Sequence, residues 1–218
     1  MSPITLEQLH ILARQRADMV NNDFIEDGEL TNYINQSIAE LYDLIIMNFE
    51  DDYVEDHIIN HVGIDTRYPL PSDFYKLITV HQIIPGVGYI PLSKFNRKHI
   101  PSINICGTLM YRLRGSQVQI IGTGNTNEIL LTYIPVAPHL VEPSDTLDVI
   151  RGWEEFVVID SAIKMLVKEE SDVRVLFQQK ADIINRIKES ASMRDLAATD
   201  SIQDVTSVDY FATSRLWR

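Results

Sequence analysis

The chain has 218 residues, of which 45% are hydrophobic and 23% charged, and a formal net charge of −12. That length and composition suit one large or two small globular domains and exclude global disorder. The acidic balance excludes sequence-independent binding of DNA or RNA, which needs Lys and Arg to displace counterions from phosphates, and it repels anionic lipid.

A first helix is predicted to start at Thr5, whose hydroxyl can cap the backbone while Gln8 reaches back as a capping box. Leu6, Leu9, Ile11, Leu12 and Met19 give it an apolar stripe, and the polar Asn21-Asn22-Asp23 ends it. A second helix runs from about Gly28 to Asn48. Its residues Leu30, Tyr33, Ile34, Ile38, Leu41, Leu44, Ile45 and Phe49 fall at three- and four-residue steps, with Asp27 as N-cap. After about Asp56 the pattern turns to β. Strands are predicted over Lys76 to Ile84, Tyr89 to Leu92, Leu109 to Leu113, Gln117 to Ile121 and Ile129 to Ile134, with turns at Gly86-Val87-Gly88, Gly115-Ser116 and Gly122 to Asn127. Between Tyr68 and Lys76, Leu70 and Phe74 anchor a turn in which Ser72 or Asp73 caps a short helical segment. Pro135, Pro138 and Pro143 make an extended connector. Helix returns near Gly152-Trp153, breaks around Glu170-Ser171-Asp172, where Ser171 or Asp172 can cap, and continues to about Ser192.

The tail from Leu196 to Arg218 lacks periodicity but carries Tyr210, Phe211, Leu216 and Trp217. Disordered ends are poor in aromatics, so the tail reads as an arm that becomes ordered on a partner; folding back on its own domain is the alternative. The expected architecture is therefore α+β, a four-helix bundle-like domain with a small inserted antiparallel β-domain of five or six strands and an extended C-terminal arm. Its parts are residues 1–56 with 150–195 (helices), 57–149 (β-domain and connectors) and 196–218 (arm). Cys106, the single cysteine, excludes an intramolecular disulfide and fits a reducing cytoplasm. The segment Met1 to Thr5 has no signal-peptide pattern, and no apolar run approaches the roughly 18 residues of a membrane span, so a soluble chain made inside the cell is expected.

Charge is polarised along the chain. Between Asp23 and Asp56 there are eleven acids and no Lys or Arg, while Lys94, Arg97, Lys98, Arg112 and Arg114 cluster in the middle. Such a pattern can steer copies head to tail, or simply solvate one face.

Little in the sequence points to catalysis. Gly122-Thr123-Gly124-Asn125 and Gly86-Val87-Gly88 join strand to strand, whereas a phosphate loop opens a helix. His57 and His61 have i, i+4 spacing but lack the glutamate of a zinc peptidase. There is no Gly-x-Ser-x-Gly elbow, and acid pairs such as Asp51-Asp52 and Glu169-Glu170 read as solvated surface. No cofactor, metal or catalytic residue is expected.

Three segments in order are more distinctive: Tyr68-Pro69-Leu70-Pro71-Ser72-Asp73-Phe74-Tyr75-Lys76, then Leu131-Thr132-Tyr133-Ile134-Pro135-Val136-Ala137-Pro138, then Gly152-Trp153-Glu154-Glu155-Phe156. Their order around an inserted β-unit, over about residues 5 to 195, resembles the head-to-tail adaptor (connector) proteins of tailed double-stranded DNA bacteriophages. The resemblance implies a structural virion protein of the neck, made in the bacterial host cytoplasm, with twelve copies ringed beneath the portal protein. The ring would extend the DNA channel and offer a surface to tail or nozzle proteins, with genomic DNA passing unbound and no membrane involved. It also implies that the arm meets the portal, which makes Tyr210, Phe211, Arg215, Leu216, Trp217 and Arg218 interface candidates. Glu40 and Asp43 are channel-lining candidates. Another neck, tail-completion or tail-tube component, a cellular peptide- or protein-binding module, and a hydrolase of unrecognised type remain as alternatives.

Overall fold

The computed structural model describes residues 3–20, 24–48, 53–62, 66–96, 109–122, 127–149 and 152–192. Among these residues the chain forms four helices and ten strands. The helices are α1 (Leu6–Arg16), α2 (Asp27–Asn48), α3 (Glu154–Lys168) and α4 (Arg174–Ser192).

Helix α1 begins as the capping-box pattern requires. The Gln8 N–H donates to Thr5 Oγ1, and Gln8 Oε1 accepts the Thr5 N–H, both at 3.2 Å. Two more free amides of its first turn are taken up by the chain returning from the β-region. Leu6 N–H donates to the Asp145 carbonyl and Glu7 N–H to that of Pro143. In α2, Asp27 is the first helical residue rather than the cap, and Leu30 N–H bonds the Glu26 carbonyl. At α4, Asp172 accepts the Arg174 N–H at 3.0 Å, as the acid before that helix predicts.

Helix α3 is the centre of the helical part and packs against each of the other three. Its residues from Phe156 to Ile163 are buried on every side, the condition of a helix inside a core rather than on its surface. Around it, Leu9, Ala13, Leu30, Ile34, Ile38, Leu41, Ile183 and Ile187 close one continuous hydrophobic cluster. Each large aliphatic side chain buried there contributes about 1.5–3 kcal/mol relative to exposure.

The β-region is larger than the small inserted domain expected. Strands β2 (Glu55–His61), β9 (Asn127–Pro135), β4 (Phe74–Ile84) and β5 (Gly88–Pro91) form one sheet in that order, antiparallel throughout. Strands β3 (Thr66–Pro69), β8 (Gln117–Ile121), β7 (Met110–Arg114) and β6 (Ser93–Lys94) form a second, in which β6 runs parallel to β7. Ile59, Val80, Ile129 and Leu131 of the first sheet meet Val118 and Ile120 of the second in one buried cluster, so the sheets are stacked as a sandwich. The turn between β4 and β5 has Pro85 followed by Gly86 at φ 79°, the left-handed position a type II turn demands. The β7–β8 hairpin turns on Gly115 at φ 61°.

A third sheet pairs β1 (Ile4–Thr5) with β10 (Thr146–Leu147) at the helical end. Two four-stranded sheets and this extra pair overturn the expectation of a helical bundle bearing a small β-domain. The fold is α+β and rich in sheet. The physical reason lies in β2 and β3, which close the sandwich without alternating hydrophobicity. In β2 only Ile59 and His61 are buried. The expected helical segment at Ser72 or Asp73 is instead a bare turn, with Phe74 N–H bonded to the Pro71 carbonyl as β4 begins.

Helices and sandwich meet where the end of α2 lies on the first sheet. Tyr42 and Ile46 pack on Ile134, Tyr42 donates its hydroxyl to the Pro135 carbonyl at 2.9 Å, and Tyr75 donates to Asp43 Oδ1 at 2.7 Å. The connector after β9 is clamped by Asn35, whose amide donates to the Leu140 carbonyl and accepts the Leu140 N–H, both at 2.8 Å.

Candidate interaction surfaces

The densest group of ionisable side chains lies between α2, α3 and α4. Asp160 is 3% exposed. It accepts the Ser37 hydroxyl at 2.6 Å, Lys164 Nζ at 2.5 Å and Lys180 Nζ at 2.6 Å. Glu40 takes the same lysines on its two oxygens, at 2.9 and 3.0 Å, and Ser161 donates to the Ser37 hydroxyl. Burial pushes the Asp160 carboxyl up, but the bonds from Lys164, Lys180 and Ser37 outweigh it and hold the group below the ordinary value of 3.8. Lys180 is pushed down by burial and up by Asp160 and Glu40, and ends above 10.5. Its ammonium also sits over the Phe156 ring. Every group here faces a protein partner, so the cluster locks α4 to the bundle and holds no poised acid, base or nucleophile.

A groove of about 580 Å³ opens between α1, the start of α2 and the connector, lined by Leu6, Ile11, Val141 and Pro143 with His10, Arg14 and Asp27. Its polar groups are engaged with one another. Arg14 bonds the Ile25 carbonyl and Asp27, and His10 Nε2 lies 2.9 Å from Thr31 Oγ1. Burial lowers the His10 pKa, and the nearby Asp27 only partly restores it.

The sandwich presents two unlike outer faces. Register puts Ile58, Leu130, His81 and Pro91 in one cross-strand row on the outside of the first sheet, with Asn60, Glu128, Ile83 and Tyr89 in the next. Ile58 is 53% exposed and Tyr89 65%. The end of α2 covers this face only around Ile134 and Ile78. On the outside of the second sheet, register aligns Arg67, Gln119 and Arg112, then Pro69, Gln117 and Arg114. Arg112 donates to Gln119 Oε1 at 2.9 Å and lies over the Phe95 ring.

The sequence-predicted site residues fall as follows. Glu40 is paired with Lys164 and Lys180, and Asp43 accepts from Tyr75, so both acids already have partners within the chain. Tyr210, Phe211, Arg215, Leu216, Trp217 and Arg218 lie outside the described residues, as do Cys106 and Asp51-Asp52. His57 and His61 stand on the extended β2, where i, i+4 spacing does not bring side chains together as on a helix. His61 is 2% exposed, bonds the Tyr68 hydroxyl through Nδ1 at 3.1 Å, and has no partner at Nε2. Burial lowers its pKa. Among the described residues no three His, Cys, Asp or Glu side chains are grouped to hold a metal ion, and no helix is long and apolar enough to cross a membrane. The outer-face patch of Ile58 and Leu130 in one row and Ile83 in the next was not singled out in the sequence. Only strand register brings these residues side by side.

Comparison with known protein families finds none that matches the chain, and comparison with curated proteins finds no match.

Proposed function

We propose that this chain is a non-enzymatic assembly protein of a phage neck, a head-to-tail adaptor that docks as a ring under the portal and offers its far side to the tail. The observation that supports this reading is the meeting of two of the segments that carry the resemblance. Asp73, from Leu70-Pro71-Ser72-Asp73-Phe74, accepts the Tyr133 hydroxyl at 3.2 Å. Phe74 stacks on the Tyr133 ring with centroids 5.7 Å apart, and Val136 N–H bonds the Asp73 carbonyl at 2.6 Å. These contacts brace the point where the sandwich leaves the helices, next to Tyr42 and Asp43 of α2. A part that carries load between two larger bodies needs such a braced junction and has no use for a reactive centre.

Electron microscopy of the purified chain, alone and mixed with the portal protein encoded in the same genome, tests the reading. The expected result is a portal ring decorated at one end. No ring and no decoration in either sample removes the adaptor role. A second arm deletes residues from Ser201 onward. The hydrophobic clusters of the described residues are built from residues up to Ile187, and the truncated chain is expected to keep its melting temperature and lose portal attachment. Normal attachment would assign the arm another role.

A further inference from the structure

Among the described residues the ion pairs all lie in the helical part. On the helices, Arg14 pairs with Asp27, Arg16 with Glu155, Lys168 with Glu29, and Lys164 and Lys180 with Asp160 and Glu40. On the sandwich, Arg67 and Arg114 form no ion pair with any described acid, and Asp56 and Glu128 none with any described cation. Asp56 has only the hydroxyl of Thr132, at 2.7 Å.

These four charges, without an ion pair among the described residues, are sorted by face. The inner residues Ile59, Leu131, Val118 and Ile120 are buried between the sheets, so their neighbours in each strand point outward. Asp56 and Glu128 thus lie on the outside of the first sheet, flanking the open apolar row of Ile58 and Leu130. The described cation nearest in register on that face is Lys76, at the end where α2 packs. Arg67 and Arg114 are exposed on the outside of the second sheet, beside Pro69 and Gln117, and no described acid of that sheet shares the side. Gln119 and Ile121 on the same side are buried, so the open part of the face is the end that carries these two arginines.

From this we infer that the acidic, partly apolar outer face of one copy docks on the arginine face of the next. The contact joins two different patches, so it is heterologous, and each copy keeps one free face of each kind. Repetition of one such contact produces a closed ring when the rotation per copy closes, and a filament otherwise. Because the two faces are opposite sides of one sandwich, no single pair of copies can satisfy both. This inference rests on the assembly reading for ring closure and adds to it the surfaces that meet.

Charge exchange on the full-length chain tests it. Asp56→Arg with Glu128→Arg makes both faces positive, and Arg67→Glu with Arg114→Glu makes both negative. Self-association is measured by analytical ultracentrifugation at low salt up to millimolar protein, with circular dichroism to confirm that each variant is folded. The wild type is expected to associate, and more weakly as salt rises. Each variant alone is expected to associate on the order of tenfold or more weakly, because like charges then face each other. The equimolar mixture is expected to regain association through alternating copies. Wild-type chains that stay monomeric throughout, variants that associate like the wild type, or a mixture no stronger than its components would each overturn the inference. The assay contains no portal, so the two readings can fail separately. Rescue by mixing without portal decoration keeps the interface and removes the adaptor role, while decoration insensitive to both exchanges does the reverse.

Discussion

Lys180 Nζ lies 2.6 Å from Asp160 Oδ1, although the pair is separated by the whole turn between α3 and α4. The contact places a cation from the last helix beside a carboxylate of the central one. Asp160→Ala removes the group on which Lys164, Lys180 and Ser37 all converge and leaves Glu40 as the one carboxylate bonded to the two lysines. The expected loss is about 3 kcal/mol, the low end for breaking a buried pair because both lysines keep some contact with water. Lys180→Met should cost only about 1 kcal/mol, since Asp160 retains Lys164 and Ser37. Urea unfolding midpoints check both values. Equal losses would mean that the carboxylate is not the hub.

His61 makes the sandwich sensitive to mild acid. Its folded-state pKa is held below the ordinary 6.5 by burial, so as pH falls the unfolded chain takes up the proton first. The stability due to neutral His61 is fully present above about pH 6.5 and is lost as pH falls from there through the lower, folded-state value. His10, shifted in the same direction by its own burial, adds to that slope. His61→Leu should therefore flatten the dependence of stability on pH between 7 and 5. An unchanged slope in the variant would exclude His61 as its source.

Asn35 substitutes for a strand by pairing both backbone groups of Leu140 through its side-chain amide. Asn35→Ala leaves that N–H and carbonyl without their partner. A loss of about 2 kcal/mol is expected, with faster amide exchange at Leu140 as the local sign. Unchanged protection there would show that the connector is held by Leu140 burial alone.

At the start of α1 the Thr5 hydroxyl is one half of a reciprocal pair. Thr5→Ala should cost about 1 kcal/mol, measured as a shift in thermal midpoint, and Thr5→Ser should restore most of it.

The helices were legible because their apolar residues recur at helical spacing and their ends carry recognisable caps, Thr5 with Gln8 above all. Five strands were legible for the parallel reason, as in Gln117 to Ile121. Strand β2 was not, since its outward Asp56, Ile58 and Asn60 do not mark the buried face by polarity. Strands β1 and β10 were beyond reach, because a two-residue pair between distant parts of the chain has no periodicity of its own. The acids of α2 were visible, but their cations lie on other helices, Arg14 on α1, Lys164 and Lys168 on α3 and Lys180 on α4. A polar stripe that reads as bare surface is in large part a set of ion pairs between helices. The two outer faces required the register, which only the paired strands supply.

The sandwich is attached to the helices at the end of α2, through Tyr42 and Asp43, and the connector that follows β9 is itself fixed to the helical part, through Asn35 and the β1–β10 pair. Tyr42 and Asn35 both belong to α2, one holding the carbonyl of Pro135 and the other the backbone of Leu140. A pull on the chain leaving β9 is therefore met by one helix before it reaches the β1–β10 pair.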